Sequence, residues 1–228
     1  MELLKFEEIV KAVKGKVHIN SGNHKYNNIS TDTRKITKDS IFVALKGDNF
    51  NANDYIVEAS VKGANLCIVD EIKFKDSDLN ENTSIILVEN TRKALLDLAE
   101  LYRSKLDIKV IGITGSTGKT STKDLTAAAL SSKYKVFKTQ GNFNNEVGLP
   151  LMIFSLDNSY DVAVLEMGMS NFDEIHRLAK VAKPDIALIT NIGISHIENL
   201  KTRENILKAK MEITDFFNED SVLIVNKE

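Results

Sequence analysis

The feature that most restricts this chain is the apolar run Lys109-Val110-Ile111-Gly112-Ile113, followed at once by Thr114-Gly115-Ser116-Thr117-Gly118-Lys119-Thr120-Ser121. A near-continuous apolar run suits a parallel strand covered on both faces. A Gly/Ser/Thr loop that ends in Gly-Lys-Thr and opens a helix suits a phosphate. Its glycines let backbone N–H groups turn inward, Lys119 brings charge to the outer phosphates, and Thr120 offers a hydroxyl for Mg²⁺. The helix N-terminus adds the positive end of its dipole. In the generic pattern a glycine stands five residues before Gly118; here that position is Ile113, and the glycine is Gly115 instead. Parallel strands need crossover connections, so such a unit commits the surrounding chain to alternating strands and helices.

That alternation continues downstream. Strands are expected at Val136-Phe137, Asp161–Leu165, Asp185–Ile189 and Val222–Val225, with helices over about 118–132, 173–182 and 203–217. Residues 108–228 therefore read as a doubly wound, mostly parallel domain that carries the phosphate-binding loop. The sequence stops three residues after Val225, so this domain is expected to be incomplete. Ahead of it, Leu3, Phe6, Ile9, Val10 and Val13 lie at helical spacing, with Gly15 as the expected C-cap. Strands at Ile41–Leu45, Leu66–Val69 and Ile85–Val88 join helices over 54–62 and 91–104, with 71–84 as a surface loop. Residues 1–107 thus form a smaller α/β domain.

Composition removes several function classes. Thirty Lys+Arg against 32 Asp+Glu leave a net charge of −2, with no long basic run to hold nucleic acid. One cysteine, Cys67 in an apolar run, excludes a disulfide framework and a cysteine-based zinc site. No apolar stretch approaches the roughly 20 residues that span a bilayer, so a soluble cytoplasmic protein is expected.

Ligands of open α/β sheets gather beyond the carboxyl ends of the strands. Glu166 ends the strand Asp161–Leu165, where P-loop enzymes place a Mg²⁺-binding carboxylate. Thr190, Asn191 and then Ser195-His196 follow the strand Asp185–Ile189, which favours a metal or phosphate role for His196; His18, His24 and His176 have no such placement. On the helix 203–217, Ile206, Lys210, Ile213 and Phe217 share one face. A lysine in such a stripe either snorkels to solvent or is desolvated with a lowered pKa. The asparagine-rich segment Gly141–Pro150 is either an ordinary turn or a set of amide groups for a polar ligand. Arg34, in Ser30–Arg34, is either a phosphate contact or a surface ion pair.

Taken together, Ser30–Arg34 with Asp39–Gly47, Thr114–Ser121, Gly141–Pro150, Leu165-Glu166-Met167-Gly168, Asn191 to Glu198 and Ala209–Ile213 resemble the Mur ligases over nearly the whole chain. The Glu-Met-Gly and Gly-Asn-Phe-Asn-Asn forms resemble the branch that adds D-alanyl-D-alanine to UDP-N-acetylmuramoyl-tripeptide in peptidoglycan synthesis. The tripeptide-forming branch, folylpolyglutamate synthases and a non-catalytic nucleotide-binding module are the alternatives. The resemblance implies ATP on Gly115, Ser116, Thr117, Gly118, Lys119, Thr120 and Ser121. It implies Mg²⁺ at Thr120, Glu166, His196 and a CO₂-derived carbamate on Lys210, with Lys119, His196 and Lys210 catalytic. Thr33, Arg34, Lys46, Gly47 and Asn49 become contacts to the UDP precursor, and Asn142, Asn144 and Asn145 lie near the nucleotide and muramyl ligands. The implied chemistry is amide formation through an acyl phosphate, by a monomer, with a third domain for the incoming amine that lies outside this sequence.

Overall fold

The computed structural model describes residues 2–227, which divide between Tyr102 and Arg103 into two compact units.

The first unit opens with α1 (Phe6–Val13), whose Phe6, Ile9 and Val13 are buried. Its C-cap is Lys14, at φ 52°, rather than Gly15. Gly15 is needed for a different reason: a Cβ there would stand 2.2 Å from Ile86 Cγ2. Strands β1 (Lys16–Ile19), β2 (Asn28–Ser30) and β3 (Ser40–Val43) follow, then a 3₁₀ turn (Ala52–Tyr55), α2 (Ile56–Val61), β4 (Ala64–Val69), β5 (Ser84–Leu87) and α3 (Thr91–Arg103). The sheet order is β1-β5-β4-β3-β2, parallel except for the antiparallel β1–β5 pair. Every residue of β3 and β4 is buried, as the apolar runs require of strands covered on both faces. Cys67 is completely buried beside Phe42, Ala59 and Ile85, and that burial pushes its thiol up to about 12.

Several elements depart from the sequence reading. β1 and β2 were not anticipated: the one is mostly exposed and the other three residues long, so neither carries an apolar run. The helix expected over 54–62 begins as a 3₁₀ turn capped by Asn51, whose side chain accepts from Asn53 N–H. The loop 71–84 contains a 3₁₀ turn at Asp76–Asp78.

The second unit runs β6 (Lys109–Thr114), α4 (Lys119–Leu130), β7 (Val136–Lys138), α5 (Gly148–Phe154), β8 (Val162–Glu166), α6 (Glu174–Ala182), β9 (Ile186–Ile189), α7 (Ile197–Leu200), α8 (Arg203–Met211) and β10 (Val222–Val225). Its sheet is ordered β10-β9-β6-β8-β7 and is parallel throughout. Strand β6 lies at the centre, and the chain leaves it first toward β8 and β7 and later toward β9. That reversal makes the carboxyl end of β6 the topological switch point where ligands of such sheets bind.

Two differences here matter for the site. The helix expected over 203–217 ends as α-helix at Met211 and tightens into a 3₁₀ turn at Glu212–Thr214. Phe217, the fourth residue of the expected face, lies beyond that turn and is only partly buried, whereas Ile206, Lys210 and Ile213 are all buried, so three of the four positions share one apolar face. The Asn-rich segment is a loop only as far as Val147; Gly148 begins α5, with Pro150 in its first turn, where no intrahelical donor is lost.

Candidate functional site

The loop between β6 and α4 is held open by two glycines with different jobs. Gly115, at φ +152°, passes so close to β9 that a Cβ would meet Thr190 Oγ1 at 1.8 Å. Gly118, at φ +78°, begins α4 in the left-handed region with open space around it, so a ligand can approach the helix N-terminus. The loop is fastened to the segment after β9 by several bonds. Asn191 Oδ1 accepts from Thr117 N–H at 3.1 Å, and Asn191 Nδ2 donates to Thr117 Oγ1 at 2.8 Å. Thr190 Oγ1 donates to the Thr117 carbonyl at 2.6 Å. Ser116 Oγ accepts from Gly193 N–H at 2.8 Å, and Ser195 Oγ donates to the Ser116 carbonyl at 3.2 Å. Thr190 and Asn191, polar residues at a strand end, are therefore what shapes the cradle. Lys119 folds its ammonium onto the Gly115 carbonyl at 3.0 Å.

Glu166, the last residue of β8, is 3 % exposed and gripped from both sides. Thr120 Oγ1 donates to one carboxylate oxygen and Asn144 Nδ2 to the other, each at 2.9 Å. Asn144 also accepts Gly168 N–H on its carbonyl at 2.8 Å. Asn145 Oδ1 accepts from Val147 and Gly148 N–H and so starts α5. The asparagines are thus loop-shaping groups, and Asn144 reaches the carboxylate as well.

Lys119, Asn144, Asn145, His196 and Lys210 line one cavity of about 310 Å³, together with Gly168, Met169, Ser170 and Glu174. His196 stands at the N-terminus of α7 with φ 63° and is exposed. Lys210 is 2 % exposed, so it does not snorkel to solvent. Burial, and then repulsion from Lys119, lower its ammonium to about 8. Asn142 is exposed and does not line the cavity. Ser170 and Glu174 went unnoticed in the sequence because no apolar contrast marks the loop after β8.

In the first unit, Thr33 and Arg34 line a separate cavity of about 480 Å³ with Thr31, Asp32, Phe42, Phe50, Ala52 and Tyr55. Arg34 is paired with Asp32, donating from Nη2 to Oδ2 at 2.7 Å and from Nε to Oδ1 at 2.9 Å. The bonds from Arg34 draw the Asp32 carboxyl down to about 2. Phe50 and Tyr55 stack with ring centroids 5.3 Å apart, an aromatic pair that the sequence reading passed over. Lys46, Gly47 and Asn49 lie on the exposed loop leading to Phe50 and do not line the cavity. Lys46 pairs with Glu71. His18, His24 and His176 lie outside both cavities, engaged by Asp76, Asn20 and Asp215.

The Thr120–Glu166 pair is a hard-oxygen donor set beside a phosphate cradle. Among the described residues no group of three or more His, Cys, Asp or Glu is gathered. Mg²⁺ fits such a place, since it takes one or two carboxylates and fills its shell with phosphate oxygens and water.

Residues 113–228 match the Mur ligase middle domain. The chain belongs to the Mur ligase family. It is 44% identical over 196 residues to the UDP-N-acetylmuramoyl-tripeptide–D-alanyl-D-alanine ligase of Bacillus subtilis, covering 86% of this chain and 42% of that protein. A crystal structure of MurF from Acinetobacter baumannii superposes with a TM-score of 0.89 at 31% identity, over 100% of this chain and 49% of that one. A second, of MurF from Thermotoga maritima in complex with ADP, gives 0.79 at 35% identity, over 91% and 47%. The chain therefore spans about half the length of the relatives it matches. Among the described residues no helix is long and apolar enough to cross a membrane.

Proposed function

We propose that this chain carries the precursor-binding and ATP-binding parts of a ligase that joins D-alanyl-D-alanine to UDP-N-acetylmuramoyl-tripeptide. The observation that carries this reading is the convergence of Lys119, Asn144, Asn145, His196 and Lys210 on one cavity beside the Thr120–Glu166 pair, in a chain of this family.

ATP seats its phosphates on Gly115–Ser121, where backbone N–H groups and the start of α4 meet negative charge. Lys119 leaves the Gly115 carbonyl for a phosphate oxygen. Thr120, Glu166, His196 and Lys210 are the groups that hold Mg²⁺, which when bound neutralises charge on the phosphates. Lys210 serves as a carbamate: CO₂ adds only to a neutral amine, and an ammonium lowered to about 8 supplies one near neutral pH. The terminal carboxylate of the tripeptide attacks the γ-phosphorus, the bond to the ADP oxygen breaks, and an acyl phosphate results. The amine of D-Ala-D-Ala then attacks the carbonyl carbon, and the tetrahedral intermediate expels phosphate. Positioning and charge neutralisation carry the rate, and no protein nucleophile is required.

The cavity of the first unit takes the UDP end. Arg34 exchanges Asp32 for a diphosphate oxygen, and Phe50 with Tyr55 offers an aromatic surface to the base. The protein works as a monomer in the cytoplasm, where ATP is supplied.

Calorimetric titration with UDP-MurNAc-tripeptide, UDP-MurNAc-dipeptide and UMP tests this reading. The tripeptide precursor should bind, and Arg34→Ala should weaken it by about tenfold, the worth of one charge-assisted hydrogen bond. No binding of the tripeptide precursor, or equal binding by Arg34→Ala, would overturn the substrate assignment. Preference for the dipeptide would move it to the tripeptide-forming branch.

A further inference from the structure

Lys123 has no part in the proposed chemistry, yet it is 4 % exposed, and a buried ammonium is costly unless something holds it. It lies on α4 one turn after Lys119 and Thr120, and so on their face of the helix. Its Nζ donates to the Thr139 carbonyl at 2.9 Å. Among the described residues, the carboxylate in ion-pair range is Asp124 at 3.4 Å, which is half exposed and bound more closely by Lys138, at 2.8 Å. A methionine or leucine would fill the same space without the desolvation cost, so the contact with Thr139 is what distinguishes a lysine here.

Thr139 follows β7, is 1 % exposed, and has a partner for each polar group. Its N–H donates to the Val164 carbonyl at 3.0 Å. Its hydroxyl accepts Glu166 N–H at 2.9 Å, and its carbonyl accepts from Lys123. Five residues later the same loop delivers Asn144 to the Glu166 carboxylate. Thr120 and Lys123 from α4, with Thr139 and Asn144 from the loop after β7, therefore close a ring of contacts around Glu166.

We infer that Lys123 is a positioning residue, which ties the nucleotide-binding helix to the loop that aims Glu166 and Asn144. It does not line the cavity and acts through Thr139. The inference rests on the reading of this edge as a Mg²⁺–nucleotide site.

The test compares Lys123→Met, Thr139→Val and Thr139→Ser with the wild type by titration with ADP, with and without Mg²⁺. Lys123→Met and Thr139→Val should keep the Mg²⁺-free affinity within about twofold, because the loop Gly115–Thr120 is untouched, and lose about tenfold of the Mg²⁺-dependent gain. Thr139→Ser, which keeps the hydroxyl, should restore that gain. A purely structural role would weaken both titrations alike, and that result, or no change in either, would overturn the inference. A second readout needs no ligand. In Lys123→Met the Glu166 amide and residues 140–145 should exchange hydrogen about tenfold faster while α6 is unchanged; unchanged exchange at Glu166 would overturn the inference. A wild type that binds no ADP would sink the nucleotide reading, and the exchange result would still decide the role of Lys123.

Discussion

Replacing Gly115 by alanine tests the geometry of the phosphate cradle most sharply. A Cβ at this position would stand 1.8 Å from Thr190 Oγ1 and 3.0 Å from Thr190 Cβ. The hydroxyl is not free to swing aside, because it donates to the Thr117 carbonyl at 2.6 Å. Holding a non-glycine residue at φ +152° costs about 1–3 kcal/mol, and losing the Thr190 bond about 1 kcal/mol more. The second unit should therefore lose about 2–4 kcal/mol, read by native-state hydrogen exchange of the α4 and β6 amides. Gly118→Ala is the control. Its φ is also positive, at +78°, but nothing lies within 4 Å of the added Cβ, so only the left-handed backbone cost of about 1–2 kcal/mol applies. If Gly115→Ala costs no more than Gly118→Ala and leaves ADP affinity unchanged, the close packing of the loop against Thr190 does not matter and the reasoning fails.

Other perturbations reach different parts of the molecule. Glu212 accepts Asp173 N–H at 2.9 Å and His176 N–H at 3.1 Å, so its carboxylate caps the start of α6 from the turn after Lys210. Glu212→Ala should destabilise the second unit by about 1–2 kcal/mol in urea unfolding, and a change below the error of the titration would show the cap to be idle. Cys67 is an acid whose pKa is raised by burial from 9.0 to about 12. Between those values the unfolded chain has lost a proton that the folded chain keeps, so stability falls as pH rises, by about 1.4 kcal/mol per pH unit. Cys67→Ala should lack this extra slope between pH 9 and 10, and parallel stability curves for the two proteins would contradict the burial argument. Below pH 9 the thiol should react with a disulfide reagent only as fast as the first unit opens.

The sequence made the central strands of both sheets legible because they are largely buried on both faces: Ile41–Val43, Leu66–Val69 and Val162–Leu165 carry unbroken apolar runs, and Val110–Ile113 one interrupted only by Gly112. It hid β1, whose residues Lys16, Val17 and His18 are exposed, and β2, which is too short for a period to show. It hid the start of α5 as well, because Gly148 and Pro150 signal a turn by composition although each suits a first helical turn. Gly148 is there because a Cβ would meet the Phe143 backbone at 2.5 Å, a contact made by the fold of the loop. At the site, Lys119, Thr120 and Glu166 were readable because each ends a strand or opens a helix. Lys210 was readable as an anomaly in an apolar stripe, though its burial had to come from the packing of α8. Lys123 gave no signal, since a lysine in Thr122-Lys123-Asp124 looks like any solvated helix face. Arg34 makes a local ion pair with Asp32, and both line a cavity with Phe50 and Tyr55, an arrangement that no pattern in the sequence signals.

Gly115–Thr120 and Glu166 are proposed to form a nucleotide site, and every catalytic role assigned to the second unit depends on it. Calorimetric titration of the chain with ADP and Mg²⁺, repeated on Lys119→Ala, measures it. One site per chain is expected, weakened at least about tenfold by loss of the lysine. Absence of ADP binding in a folded wild type, or binding that Lys119→Ala leaves intact, would contradict it.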